Sequence, residues 1–310
     1  MRASMALREE RRNWKEAAIS AGNLSEMKLA LGDLAGAVQC AAQAVAYTDY
    51  GDDSFQRLGM RTRLADALHQ GGQRDEARNR FREAEGMQAR DQPDFPVLYS
   101  FQGFWYCDFL LSGAERAAWE QTLSPESKTR NPELKHGCHL IEQRATRTLG
   151  WVLASTSAAF LDIALERLTL GRAALYGAIL AQLGLLRSPE SEIEEAVEGL
   201  RAAGRMDHLP RGLLSRAWLR FCQGHTQGAR ADLDEAWQIA ERGSMRLHMA
   251  DVLLYRARLF RAIKPYPWGC PHDDLAAARK LIEECGYWRR KEELEDAEAA
   301  LGATPWWLQR

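Results

Sequence analysis

Apolar residues along this chain recur with helical spacing, and strand-type alternation is nearly absent. The most regular trace is Leu-x-Arg-Ala-x-Leu. It occurs at Leu170, Arg172, Ala173 and Leu175, again at Leu214, Arg216, Ala217 and Leu219, and again at Leu254, Arg256, Ala257 and Leu259, at intervals of 44 and 40 residues. A pattern that returns at a near-constant interval predicts a repeated helical unit. In the central copy a second helix follows, with Ala217 succeeded by Gly224, Ala229, Leu233 and Ala236. Small residues on facing sides let two antiparallel helices approach closely, and Gly224 supplies a left-handed residue to end the first. One helix pair cannot bury its own apolar face, so pairs must stack on one another. The expected fold is therefore an all-α solenoid of antiparallel helix pairs.

The spacing resembles the tetratricopeptide repeat (TPR), a helix–turn–helix unit. In one N-terminal unit Leu24, Gly32, Ala37 and Ala44 match the family's packing positions. In the next, Leu64, Ala65, Gly72, Ala77, Phe81 and Ala84 do so. The turns at 31–37 and 71–77 carry the family's Gly-to-Ala interval, whereas its consensus Trp and Pro are missing and the period is nearer 40 residues. The match is strongest for 18–51, 58–91 and 210–243 and weaker for 157–204 and 244–286. The resemblance implies a right-handed superhelix, with 1–91 as N-terminal repeats and 157–286 as C-terminal repeats. Between them, 92–156 reads as an irregular helical segment. Its stretch Phe95 to Leu111 holds seven aromatics in 17 residues, and a helix apolar on nearly all sides is either core or a partner patch. The remainder, 287–310, reads as a capping helix and tail. Leu294, Ala297 and Leu301 form a narrow apolar stripe there, Glu292, Glu293, Glu295, Asp296 and Glu298 solvate the other sides, and Trp306-Trp307-Leu308 folds back or docks elsewhere.

Composition narrows the function classes. With 41 basic and 43 acidic residues the net charge is −2, so no overall basic field for nucleic acid exists. Local Arg stripes stay open, because 34 of the basic residues are Arg. Cysteines at 40, 107, 138, 222, 270 and 285 form no C-x-x-C pair and read as reduced thiols. The longest uncharged stretch is too short to span a bilayer, and the first residues lack an apolar leader core, so a cytoplasmic location is expected. No phosphate-cradling glycine loop, nucleophile elbow or H-E-x-x-H occurs. The clusters His136, Cys138, His139 and Cys270, Pro271, His272 lack structural-zinc spacing. No enzyme activity, metal or cofactor is expected.

In tetratricopeptide domains the first helices line a concave groove. Carried over residue by residue, the resemblance places Arg63, Asp66 and His69 there, and in the later unit Arg211, Trp218 and Phe221. The family's carboxylate clamp is mostly absent: Asn23 and Arg63 match it, but Gly22, Glu26 and Gly59 do not. Arg172, Arg216 and Arg256 have two readings. They either form a basic column that reads an acidic peptide or a nucleic-acid backbone, or they bridge to acidic second helices, as to Glu195 or Asp232. Finally, the runs 99–108, 209–221, 228–237 and 286–297 resemble C-terminal repeat regions of bacterial signalling proteins that carry NACHT-, STAND- or TIR-type effectors. That likeness implies a sensor or adaptor that binds a protein or peptide and works with such an effector in trans. The alternative is a nucleic-acid-binding solenoid.

Overall fold

The computed structural model describes residues 13–51, 53–124, 131–155, 159–181 and 188–302. The Trp306-Trp307-Leu308 tail lies outside them. Among the described residues there are thirteen α-helices and no strand. They are α1 (Trp14–Ala30), α2 (Leu34–Asp49), α3 (Ser54–Gln70), α4 (Arg74–Asp91), α5 (Ser100–Leu123), α6 (Pro132–Ala154), α7 (Phe160–Leu180), α8 (Ser188–Ala202), α9 (Leu209–Cys222), α10 (Thr226–Arg242), α11 (Arg246–Phe260), α12 (Pro271–Cys285) and α13 (Lys291–Gly302). A 3-10 turn, Trp288–Arg290, precedes α13. The described residues form two compact units: those up to Phe109 with Glu283–Arg289, and those within Leu110–Ile282 with those from Arg290 to Gly302.

In the first unit, consecutive helices from α1 to α4 pack on one another, and α1 also reaches α3. Asn13, Asp33 and Asp53 cap α1, α2 and α3, accepting from the backbone N–H groups of Glu16, Gly36 and Gln56 at 3.3, 2.9 and 3.1 Å. Each cap satisfies an otherwise orphaned donor and contributes about 1 kcal/mol. The first helices of both pairs end on left-handed glycines, Gly32 (φ 84°) and Gly72 (φ 78°). The residue after each bonds back across the turn: Asp33 N–H donates to the Lys28 carbonyl at 2.8 Å and Gln73 N–H to Leu68 at 2.9 Å. The same wrap closes α9 in the second unit, where Gly224 has φ 81° and His225 N–H donates to Arg220 at 2.8 Å. Recurrence of one stop geometry at three sites is the repeat seen in backbone terms.

The second unit continues the sequential packing through α6, α7, α8, α9, α10 and α11. Throughout, small residues are buried. Ala37, Ala44, Ala65, Ala77, Ala84, Ala173, Ala217, Ala229 and Ala236 are fully buried, Ala217 and Ala229 on α9 and α10, which pack on one another. The aromatic segment is mainly core: Phe104, Trp105, Tyr106 and Phe109 are buried, while Phe95 stays partly exposed. Tyr106 stacks on Phe81 at 4.9 Å. Neighbour-on-neighbour helix packing with a repeated pair motif makes this an all-α, solenoid-like fold.

Candidate functional site

The residues expected to line an open groove have divergent fates. Arg63 is half-buried and held by Asn23 at 3.2 Å and Glu26 at 3.3 Å. Asp66 is buried and accepts from Gln70 Nε2 at 2.8 Å. His69 is buried edge-on against Phe109, with Nε2 3.9 Å from the Asp108 carboxylate, which Arg289 also clasps. Trp218 is fully enclosed: its ring stacks on Trp119 with centroids 3.7 Å apart, Tyr176 lies at 5.4 Å, and Nε1 donates to Thr122 Oγ1 at 3.3 Å. Phe221 is half-buried against Phe260. Arg211 is half-buried beside His208 and His248. Asp66, His69 and Trp218 are therefore not partner-facing, because other parts of the same chain cover them. For Trp218 the cover is α5, whose Trp119 occupies the space in front of the indole.

The basic column is likewise corrected. Arg172, Arg216 and Arg256 are all buried. Arg172 Nε donates to Tyr176 Oη at 3.0 Å, and its Nη2 stands 3.5 Å from Glu115. Arg216 Nη2 donates to Asp232 at 2.8 Å and Nη1 to Glu194 at 2.8 Å, with Arg220 gripping the same two carboxylates. Burial raises both carboxyls. Hydrogen bonds from Arg216 and Arg220 overcome it at Glu194, which falls below its ordinary value, whereas burial prevails at Asp232, which rises. Arg256 lies between the rings of Trp237 and Trp268 at 5.0 and 4.7 Å and reaches Asp234 at 3.3 Å. The acidic second-helix reading holds for Arg216 and Asp232, while Glu195 pairs instead with Arg167 at 2.8 Å. None of the three guanidiniums is presented for phosphate.

The sequence reading missed the part played by α13 and its 3-10 turn. Arg290 is buried, with Nε donating to Asp251 at 2.8 Å and Nη1 to Glu115 at 3.2 Å and Glu293 at 2.6 Å. Arg258 donates to Glu293 Oε2 at 3.1 Å and to the Glu293 carbonyl at 2.6 Å. Leu294 and Ala297 are buried as the stripe requires, but Glu293, expected in solvent, is buried and paired. The signal was present as Glu115, a charge in the middle of a helix otherwise dominated by aromatic and small residues.

One open cleft of about 620 Å³ lies between α6, α7 and α8. His139, Glu142, Gln143, Arg147, Leu170 and Glu192 line it. Glu142 is one-third exposed, its carboxylate 3.9 Å from His139 Nδ1. Burial raises its carboxyl above the ordinary value, and the nearby His139 offsets this only in part. Glu192 is already held by Arg167 at 2.8 Å. Arg147 is exposed, its guanidinium over the Trp151 ring at 4.8 Å. Leu170 and Ala174 supply apolar lining. Chemically the cleft offers a partly desolvated carboxylate acceptor at Glu142 beside an apolar wall. Among the described residues no group of three or more His, Cys, Asp or Glu is placed to hold a metal ion, and no helix is long and apolar enough to cross a membrane.

Fold and surface together define a helical-repeat protein with pairwise-stacked helices. In comparisons with known proteins, no family model and no curated protein matches the chain.

Proposed function

We propose that this chain is a non-catalytic protein- or peptide-binding scaffold of the tetratricopeptide type, acting as the sensor or adaptor part of a bacterial signalling or defence system. The observation that carries the binding reading is the cleft between α6, α7 and α8, where Glu142 is partly desolvated without a close guanidinium or ammonium partner among the described residues. The recognition surface is this cleft and not the set around Trp218. An effector of the NACHT, STAND or TIR class working in trans is the partner context that the sequence resemblance suggests. A cytoplasmic location belongs to the same reading.

The test is selection of peptides from a random display library on the full-length protein. Glu142→Lys combined with Arg147→Glu reverses the cleft's two outward charges, both on partly exposed side chains. Selected peptides are expected to be enriched in Lys or Arg and to lose at least tenfold in affinity to this variant, a loss of about 1.4 kcal/mol, with the melting temperature unchanged. Undiminished binding would move recognition away from the cleft.

A further inference from the structure

The last helix of the second unit is acidic, and it lies in a cradle of arginines drawn from several elements. Arg116 of α5 grips Asp296 with two hydrogen bonds, at 2.8 and 3.2 Å, and also reaches Glu292. Arg258 of α11 holds Glu293. Arg261, directly after α11, donates to the Ala300 carbonyl at 3.0 Å, near the helix C-terminus where a cation is favoured. Arg279 of α12 pairs with Glu298 at 3.0 Å. Against these polar contacts the helix buries little apolar surface, chiefly Leu294 and Ala297.

Two regions of α13 differ in how firmly they are held. At its start, Glu293 and the preceding Arg290 are nearly inaccessible and joined to Asp251, Glu115 and Arg258. From Leu294 onward the ion pairs sit at the surface: Arg116 and Asp296 are 35% and 28% exposed, Arg279 and Glu298 42% and 34%. Pairs of that kind are screened by salt, and a twelve-residue helix has little stability of its own away from its packing. The helix is thus rooted in buried ion pairs at its first turn, and beyond it the ion pairs are open to solvent.

We propose that the cradle formed by Arg116, Arg261 and Arg279 is a binding site for an acidic amphipathic helix, and that α13 occupies it in cis. The partner is a helix with small or branched apolar residues three apart and carboxylates flanking them, as Leu294, Ala297, Asp296 and Glu298 are arranged here. Such a helix displaces the outer part of α13 and leaves the Arg290 root in place. Charge complementarity and the occupant already seated both select an acidic helix over a nucleic-acid backbone, although phosphate would also satisfy guanidiniums.

The test uses the full chain in two measurements. In hydrogen–deuterium exchange, raising salt from roughly 0.05 to 0.5 M shortens the Debye length several-fold and is expected to speed exchange at residues 296–301 at least tenfold while α11 stays protected. Asp296→Arg alone is expected to give the fast exchange at low salt, and adding Arg116→Asp to restore protection. In the second measurement, a fluorescein-labelled synthetic peptide of residues 290–302 is titrated by anisotropy. It is expected to bind the released variant Glu292→Lys with Asp296→Lys at least tenfold more tightly than wild type, and to lose that gain when Arg116→Glu is added. Equal binding to wild type and released variant, or no rescue by the charge swap, overturns the proposal. Displacement of the peptide by a single-stranded oligonucleotide at equal concentration also overturns it, in favour of a phosphate site.

Discussion

Trp218 shows how one side chain passes from candidate surface to core. Its indole is enclosed by Trp119, Tyr176 and Tyr255, so Trp218→Ala removes a buried aromatic and leaves a cavity. The expected loss is about 3–5 kcal/mol of unfolding free energy, read from urea denaturation; a midpoint unchanged from wild type would contradict the enclosure. The helical period placed Trp218 on the correct helix, but Trp119 belongs to α5, where no repeat register exists to show what it covers. A second residue-scale prediction concerns His208, at the N-terminal cap of α9. Burial lowers its pKa from 6.5 to about 4; Arg211, Arg205 and His248 act in the same sense and Asp207 opposes them. The native state keeps the imidazole neutral while the unfolded chain takes the proton first. This contribution to stability is present in full above pH 6.5 and is lost as pH falls toward about 4, by up to about 3 kcal/mol. Denaturation midpoints measured across that window should fall, and His208→Gln should flatten the decline.

At the scale of elements, the repeat was legible because its packing is local and its spacers are small. Leu24, Gly32 and Ala37, or Leu214, Gly224 and Ala229, sit within one helix pair, so sequence spacing alone reports their contact. Ala229 is fully buried, and Ala229→Leu is expected to cost about 1–3 kcal/mol by overpacking. The two turn glycines offer a sharper comparison. Both have positive φ, but a Cβ at Gly224 meets nothing within 4 Å, whereas one at Gly72 comes within 2.8 Å of the Trp288 Cβ. Gly224→Ala should therefore show only the left-handed backbone penalty, about 1–2 kcal/mol. Gly72→Ala should exceed it by about 1 kcal/mol or more, because Trp288 has to shift. Paired thermal melts measure the difference, and equal losses would show that Trp288 yields freely. Nothing near Gly72 in sequence announced this neighbour.

Across the molecule, the parts that escaped the sequence reading are those joined over long chain distances. The acidic character of α13 looked like a solvated face because helix patterning shows which residues share a side, not what is opposite. Arg290 then turns out to neutralise carboxylates from α5, α11 and α13 at once. Removing one member of a buried charge set strands the others, so Arg290→Ala is expected to cost about 3–5 kcal/mol. Calorimetry on the full chain measures it. Replacing an exposed partner, as in Glu292→Gln, should shift stability by less than about 1 kcal/mol.

The first unit is built from two stretches of chain, and this has a consequence for synthesis. Arg289, which clasps Asp108, lies 181 residues downstream of it. At a translation rate of about 5–20 residues per second, Asp108 waits roughly ten to forty seconds on the ribosome before its counter-ion exists. During that interval the seat of Trp288 beside Gly72 is empty, and Asp108 stands next to His69 without its guanidinium. A nascent chain stalled before residue 283 should therefore be cut by protease within α3 to α5 under conditions that spare the finished protein. The first unit is begun first but stays incomplete until residues 283–289 are made, and holdase chaperones are expected on it until then.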